Sequence, residues 1–218
     1  MLKKMALTLI AASALSAAPQ AVVFDWGKVL ADPDRKPIVE FLCDSLGISF
    51  EEFEQINRQK HAEIPEIEYW IQCAEKQERA LPDDWRQRYR SVSRSALNVN
   101  DEMYALVEEL KANGIPVALL SNVQKRYADL IRSFGLYAPF EPCLLSSEMG
   151  VSKPDPQAYE FLLKELSLPA SEIVFIDDRQ ENIEAALNAG LDAIQFESPS
   201  QLKKELIQRG LLKETPHP

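Results

Sequence analysis

The sequence predicts an α/β fold in which a Rossmann-like parallel β-sheet is sandwiched by helices and carries a small all-helical unit near its start. Two patterns support this prediction. From residue 100 to the C-terminus, short apolar runs alternate with amphipathic helical segments. Buried parallel strands have that appearance because both of their faces are covered. Between residues 34 and 99, by contrast, apolar and aromatic residues recur at a spacing of three and four, which is typical of helices.

The composition fits a soluble globular protein and narrows its function. The chain has 218 residues, of which 46% are hydrophobic and 27% charged, and its formal net charge is -10. A protein that binds nucleic acid needs a basic face, so DNA and RNA are not expected as partners. Cys43, Cys73 and Cys143 form no CxxC pair, which disfavours a zinc site or a disulfide framework. With only His61 and His217, histidine-based catalysis is not expected either.

The N-terminal segment differs from the rest of the chain. Two lysines precede an uncharged run over residues 5–18, which is too short to span a bilayer comfortably and ends in small residues. This pattern predicts a signal peptide over residues 1–18, cleaved after Ser16 or Ala18. The mature protein would then be periplasmic or secreted and would have no membrane span. An N-terminal amphipathic helix is the alternative, and the protein would then be cytoplasmic.

The first predicted strand is Ala21–Phe24, a Val-rich run that ends abruptly at Asp25. The α/β core is expected to comprise residues 19–33 and 100–218, with the helical unit, residues 34–99, inserted between them. Further strands are predicted at 117–120, 143–145, 173–176 and 193–196. Helices are predicted between these strands at about 124–134, 155–166 and 181–189, with one more at each end of the series. Such alternation implies right-handed crossovers between parallel strands.

Polar residues collect where the predicted strands end, and ligands bind outside the carboxyl ends of such strands. Asp25 follows the first strand, whereas Ser121 and Asn122 follow the second. Asp177 and Asp178 follow the strand at 173–176. Three carboxylates at one edge repel one another unless a cation neutralises them. Because all their ligand atoms are oxygens, Mg²⁺ is the expected ion.

Four segments in order resemble the motifs of the haloacid dehalogenase superfamily, whose members are hydrolases with an aspartate nucleophile. The segments are VVFDWGKVL (22–30), LLSN (119–122), SKPDP (152–156) and VFIDDRQENIEAALNAG (174–190). The resemblance extends from about residue 21 to the C-terminus and implies that the helical unit is a cap over the site. The FDxG form of the first motif is similar to the branch that includes sugar-phosphate phosphatases such as alpha-D-glucose-1-phosphatase.

The resemblance implies a nucleophile and a set of metal ligands. Asp25 would attack phosphorus and form an aspartyl-phosphate intermediate. The backbone carbonyl of Gly27 would bind Mg²⁺ together with Asp25. Asp178 would be a direct metal ligand, and Asp177 would assist it directly or through a water molecule.

The remaining motif residues would bind the phosphoryl group and balance its charge. Ser121, and Asn122 through its backbone N–H, would hold phosphoryl oxygens. Lys153 would offset the charge of the phosphate and of Asp25, so the predicted catalytic group is Asp25, Lys153 and Ser121. Asn182 would either orient the aspartates or merely lie at the start of a helix.

Gly27 departs from the commonest phosphatase motif, which has at this position a second Asp that acts as general acid and base. The absence of a positioned proton donor costs roughly 10²- to 10⁴-fold in rate. A water or the cap would then supply the proton, with Asp32, Asp34 and His61 as candidates. Alternatively, the leaving group needs no proton, as a halide would not, or the protein binds phosphate without turnover. Lys28 is also unusual and would lie beside the site or point to solvent.

A phosphatase is favoured over both alternatives. Dehalogenases of the superfamily usually have Tyr in place of the second Asp and a serine-containing fourth motif that binds no metal. Asp177 and Asp178 instead require a cation. A non-catalytic binding protein is disfavoured because the nucleophile, the lysine and the metal carboxylates are all present. The expected substrate is a small phosphorylated metabolite such as a sugar phosphate.

Substrate choice is expected to depend on the cap. Its aromatic residues would line the substrate pocket or, as we favour, pack within the helical bundle: Tyr69, Trp70, Trp85 and Tyr89. Its basic stretch would form a solvated helix face or contact a second anionic group of the substrate: Arg86, Arg88, Arg90 and Arg94.

Overall fold

A computed structural model of the protein describes residues 18–58 and 64–214. The predicted signal peptide therefore lies outside the described residues, except for its last position. His61 and His217 lie outside them as well. Within the two described ranges, no helix combines the length and the apolar character that crossing a membrane requires.

The predicted parallel sheet is confirmed. In chain order the strands β1 to β5 are Ala21–Phe24, Val117–Ser121, Cys143–Leu145, Ile173–Asp177 and Asp192–Gln195. They lie in the order β3-β2-β1-β4-β5, and every pair of neighbours is parallel. Strands β2 and β3 lie on one side of β1, and β4 and β5 lie on the other. The strand order therefore reverses next to β1. A reversal of this kind opens a crevice at the carboxyl ends of the central strands.

Helices connect these strands and follow the last one. In the described residues, α1 to α10 span Lys36–Leu46, Phe50–Arg58, Glu66–Lys76, Trp85–Ala96, Asp101–Ala112, Lys125–Ser133, Ser146–Met149, Pro156–Leu166, Gln180–Asn188 and Pro199–Gln208. A single 3₁₀ turn, Ala170–Glu172, leads into β4. Helix and strand alternate from residue 100 onward, as the sequence predicts.

Both faces of the sheet are covered by helices. Alternate residues of the central strands, such as Phe24 and Val23, enter different hydrophobic clusters. The cluster of Phe24 includes residues of α5, α6 and α10, whereas the cluster of Val23 includes residues of α8 and α9. All residues of β1, β2 and β4 are buried, which explains why these strands read as unbroken apolar runs.

Helices α1 to α4 form a unit with its own hydrophobic cluster. Trp70, Trp85 and Tyr89 are almost completely buried in it, and Tyr69 is 7% exposed. Trp70 stacks on Phe53 with ring centroids 5.3 Å apart. These aromatic residues therefore pack within the helical bundle, as we favour, and Trp70 also lines a cavity that is described below.

Two adjacent segments of the chain connect the helical unit to the core. The N–H of Asp32 donates to the carbonyl of Asn98 (3.2 Å), and the N–H of Asn100 donates to the carbonyl of Leu30 (2.9 Å). Ala31 also forms an antiparallel bridge with Val99. The outgoing and returning chains therefore lie side by side as a short two-stranded link.

We expect Asn100→Ala to lower the free energy of unfolding by about 1 kcal/mol. The Asn100 side chain caps α5 by accepting a hydrogen bond from the N–H of Met103 (3.2 Å), and alanine removes that acceptor. Urea unfolding of the purified protein measures the change. Asn100→Ser is the control, because serine retains a capping oxygen and should remain close to the unmodified protein. Equal stability of the Ala and Ser variants would contradict this role for the cap.

Candidate active site at the carboxyl ends of the strands

The register of the sheet brings the predicted carboxylates together. Phe24 of β1 is paired with Ile176 of β4, so the residues that follow, Asp25 and Asp177, are neighbours at the sheet edge. The N–H of Asp25 donates to the carbonyl of Ile176 at 2.8 Å and fixes this alignment. Carboxylate oxygens of Asp25, Asp177 and Asp178 all lie within 4.8 Å of one another.

Lys153 bridges two of these carboxylates. Its Nζ lies 2.7 Å from Oδ1 of Asp25 and 2.6 Å from Oδ2 of Asp177. The Lys153 side chain is 1% exposed, so its charge is compensated within the protein rather than by water. A buried ammonium is costly unless it is paired and hydrogen-bonded, and here two carboxylates supply the acceptors.

Asp177 is completely buried, and both of its carboxylate oxygens are occupied. Oδ1 accepts from the N–H of Arg179 at 2.9 Å, while Nδ2 of Asn182 lies 2.9 Å from each oxygen. Of the two roles considered for Asn182, the structure thus supports orientation of an aspartate. Asp178 follows at the end of β4 and remains partly exposed at the edge of a cavity.

Asn122 holds the backbone of Lys153 with its side chain. Its Nδ2 donates to the carbonyl of Lys153 at 2.7 Å, and its Oδ1 accepts from the N–H of Lys153 at 2.9 Å. The amide group is therefore used to position the loop that carries the lysine. This leaves the predicted phosphate contact of Asn122 to its backbone.

Burial and mutual repulsion shift the acidity of the site. Burial raises the pKa of Asp25, the Asp177 charge adds to the increase, and the Lys153 ammonium opposes it. Burial also raises the pKa of Asp178, again with a contribution from the charge of Asp177, whereas Lys28 lowers it. Both acids thus hold their negative charge less readily than a solvated Asp, and a further cation would stabilise it.

The site fits a hard divalent cation. Carboxylate oxygens of Asp25 and Asp178 converge, and oxygen is the ligand atom that Mg²⁺ prefers. Gly27 lies between them in the chain and also borders the cavity. Asp25, Gly27 and Asp178 thus lie where a metal ion could be held, whereas the oxygens of Asp177 already accept from Lys153, Arg179 and Asn182.

A cavity of about 440 Å³ opens onto this group and is called the site cavity here. In the described residues its lining consists of Asp25, Gly27, Lys28, Ser121, Asn122, Lys153, Asp178, Arg179 and Asn182. The structure thus brings together at one cavity the residues predicted to bind the metal or the phosphoryl group, except the buried Asp177, which bonds to Lys153. Lys28 lines the cavity from a left-handed backbone conformation with φ of 58°.

Two of the three proton donors suggested in place of an acid at Gly27 lie outside the site cavity. Neither Asp32 nor Asp34 is part of the described lining of the site cavity. Asp34 instead accepts from the N–H of Lys36 at 2.9 Å, because it precedes the start of α1. These two residues are therefore corrected as candidates, and His61 lies outside the described residues.

A second cavity, of about 360 Å³, shares the lining residue Asn122 with the site cavity and is called the Arg126 cavity here. It lies between α1, α2 and α3 on one side and the start of α6 on the other. Its described lining consists of Arg35, Ile38, Val39, Leu42, Phe53, Asn57, Glu66, Trp70, Asn122, Val123, Gln124, Arg126 and Tyr127. The helical unit and the core thus enclose this cavity together.

An ion pair connects the two sides of the Arg126 cavity. Nη1 of Arg126 lies 3.1 Å from Oε2 of Glu66, and both side chains are more than nine-tenths buried. Oε1 of Glu66 accepts from Nε1 of Trp70 at 2.8 Å. Glu66 and Arg126 were not predicted from the sequence, whereas Trp70 was considered as a pocket residue. Arg126 lies four residues after Asn122, in the first turn of α6, and this position could have indicated that it lies near the site.

The basic stretch predicted to contact a second anionic group does not reach either cavity. Arg86 pairs with Glu68 at 2.6 Å, and Arg90 lies over the ring of Phe134 at 4.9 Å. None of the four arginines of α4 belongs to the described lining of the site cavity or the Arg126 cavity. Arg86 and Arg88 lie on a solvated helix face, whereas Arg90 and Arg94 are half-buried.

Comparison with known proteins identifies relatives of similar sequence. The sequence is 33% identical over 94 residues to a phosphoglycolate phosphatase of Yersinia pseudotuberculosis, covering 43% of this chain and 40% of the relative. It is 30% identical over 114 residues to the enolase-phosphatase E1 of Aquifex aeolicus, covering 51% and 50% of the two chains. The chain therefore spans half or less of the length of these curated relatives.

The fold is shared with a solved structure from Bacteroides thetaiotaomicron. The HAD family enzyme bt-2542, in complex with magnesium and inorganic phosphate, superposes with a TM-score of 0.59 at 23% identity, covering 84% of this chain and 98% of that one. The sequence family described as haloacid dehalogenase-like hydrolase matches residues 19–190, which include the first-motif aspartate, the lysine loop and the paired aspartates. The chain belongs to the haloacid dehalogenase-like hydrolases.

Proposed function

We propose that the protein is a Mg²⁺-dependent phosphatase that hydrolyses small phosphomonoesters such as sugar phosphates. The observation that carries this proposal is the Lys153 ammonium, held 2.7 Å from Asp25 and 2.6 Å from Asp177 at the base of a cavity that Asp178 also lines. Two relatives named as phosphatases, and a structural neighbour that contains magnesium and phosphate, support the same reaction class.

Asp25 is the nucleophile in this proposal. Its carboxylate attacks phosphorus, the ester oxygen departs, and water then hydrolyses the aspartyl-phosphate and restores the carboxylate. Lys153 holds Oδ1 of Asp25 in place, so the carboxylate does not have to be ordered during the reaction. The same ammonium offsets negative charge on the transferred phosphoryl group, and the neighbouring Ser121 binds one of its oxygens.

Asp25, the carbonyl of Gly27 and Asp178 would hold Mg²⁺. The ion, when bound, supplies positive charge that neutralises the carboxylates and the phosphoryl oxygens. Asp177 has a different task in this proposal, because its oxygens already accept from Lys153, Arg179 and Asn182. It fixes the lysine that faces the nucleophile.

The proton for the leaving group comes from water in this proposal. Apart from the nucleophile Asp25 and the metal ligand Asp178, the described lining of the site cavity contains no carboxylic acid and no histidine. The reaction would then depend strongly on how easily the leaving group departs as an anion.

We expect Asp25→Asn to abolish release of inorganic phosphate from aryl and sugar phosphates, because the amide is not a nucleophile. Asparagine retains the size of the side chain and an acceptor for Lys153, so the circular dichroism spectrum should not change. A phosphate-release assay with and without Mg²⁺ measures the effect. Asp155→Asn, an exposed helix cap outside the site cavity, is the matched control. Full turnover by Asp25→Asn would exclude this nucleophile, and no turnover by the unmodified protein would favour phosphate binding without catalysis.

We expect Gly27→Asp to accelerate hydrolysis of alkyl phosphates, whose leaving groups need a proton, by roughly 10- to 100-fold. A positioned acid typically contributes 10²- to 10⁴-fold, and one introduced by substitution should recover part of that factor. Space is available, since a Cβ at Gly27 would meet only Oδ2 of Asp25, at 3.8 Å. Comparison of kcat for alkyl and aryl phosphates measures the effect, and Gly27→Asn is the control without a proton to donate. Equal rates for the Asp and Asn variants would show that protonation is not limiting.

We expect Lys153→Met to destabilise the fold by about 3–5 kcal/mol at neutral pH, because two buried carboxylates lose their counter-ion. Without Lys153 the pKa of Asp25 is raised further, so the folded variant takes up a proton more readily than the unfolded chain. The difference in stability from the unmodified protein should therefore shrink as the pH is lowered and grow as it rises through the raised pKa. Urea unfolding between pH 5 and 8, without metal, tests both statements. A difference that does not depend on pH would contradict the charge balance proposed for the site.

A further inference from the structure

The Arg126 cavity is placed to receive the part of the substrate that leaves. It opens next to Asn122, which also borders the site cavity where the phosphoryl group would bind. A phosphomonoester held by Ser121 and Lys153 therefore has space for its remaining atoms between the helical unit and the core. The volume of about 360 Å³ is at the small end of the range for ligand pockets.

Two buried polar atoms in this cavity have no hydrogen-bond partner among the described residues, Oδ1 of Asn57 and Nη1 of Arg126. Nη1 of Arg126 lies at ion-pair distance from Glu66, 3.1 Å, but no hydrogen bond joins the two atoms. Buried polar groups are nearly always hydrogen-bonded, and an exception requires an explanation. Here one acceptor and one donor remain unsatisfied at the same cavity.

A hydroxyl group can satisfy either kind of atom, because it donates one hydrogen bond and accepts others. A carboxylate or a second phosphate would accept from Arg126 but would offer Asn57 Oδ1 no proton. It would also bring a negative charge close to Glu66. The two atoms that lack a hydrogen bond therefore favour hydroxyl groups over anions.

The rest of the cavity wall includes apolar and aromatic surface. Ile38, Leu42 and Phe53 line it, together with Trp70, whose ring stacks on that of Phe53. Such surface fits the C–H face of a ring or short chain. A sugar or another polyol combines this face with hydroxyl groups along its edge.

We propose that the Arg126 cavity binds the leaving group of the substrate and selects a compact polyol or sugar, with Asn57 and Arg126 as the residues that recognise its hydroxyl groups. The inference rests on the proposed phosphatase function and adds the determinants of substrate choice. Asn57 lies on α2 of the helical unit and Arg126 on α6 of the core, so both parts of the molecule take part in recognition.

The test compares kcat/KM for three phosphomonoesters of matched size and for phenyl phosphate as a reference. The three carry a polyol, an unsubstituted alkyl chain and a carboxylated chain as leaving groups. The polyol phosphate should be preferred to the other two. Asn57→Leu, which has the same number of side-chain heavy atoms but no acceptor, should reduce the preference for polyol over alkyl phosphate about tenfold. Asn188→Leu, at an exposed position at the end of α9, should leave the preference unchanged.

The outcomes separate this inference from the function on which it rests. Hydrolysis of phenyl phosphate without a preference for the polyol, or with a preference for the carboxylated chain, would overturn the inference and leave the phosphatase intact. An unchanged preference in Asn57→Leu would remove Asn57 from recognition. Failure to hydrolyse any of the four compounds would overturn both. The comparison on the unmodified protein decides the substrate class even if Asn57→Leu does not fold.

Discussion

The balance of charge at the end of the central strands is the constraint on which the rest of the site depends. Parallel pairing of β1 with β4 makes Asp25 and Asp177 neighbours, and the sheet cannot separate them without losing its register. Lys153 makes that proximity tolerable by placing one ammonium between the two carboxylates. Asn122 fixes the backbone of the lysine, and Asn182 fixes the carboxylate behind it. The proposed nucleophile, its counter-ion and their supports thus form one connected network.

Most of the core and its site could be predicted from the sequence because both depend on local signals. Buried strands are recognisable as apolar runs, and the polar residues of the site directly follow them. Asp25, Ser121 and Asp178 could therefore be assigned to one edge of the sheet from the sequence alone. The Arg126 cavity could not be predicted in this way. Asn57, Glu66 and Arg126 lie on three different helices, and their meeting depends on how the helical unit packs on the core. Asp32 and Asp34 were misjudged for the same reason, since their direction relative to the cavity is a property of tertiary structure.

In this arrangement, the proposed reaction and the proposed choice of substrate depend on different parts of the molecule. The groups proposed for chemistry belong to strand ends and loops of the core, where regular pairing fixes their positions. The groups proposed for recognition lie where two bodies meet, so changes on α2 or α3 would alter the cavity without disturbing Lys153. The Arg126–Glu66 ion pair spans that boundary at 3.1 Å. Gly27 adds a chemical constraint, because a site without a second acid there works best on leaving groups that depart readily.

The two-stranded link between the helical unit and the core has an evolutionary consequence. Since Asn98 bonds to Asp32 and Asn100 bonds to Leu30, the unit leaves and re-enters the core at practically one point. An insertion whose ends are adjacent disturbs its host little, whatever its length or internal structure. The same attachment point could therefore accept helical units of other sequences while β1 and α5 continue to pack as before. New substrate specificities would then arise by exchange of the helical unit, without changes at the carboxyl ends of the strands.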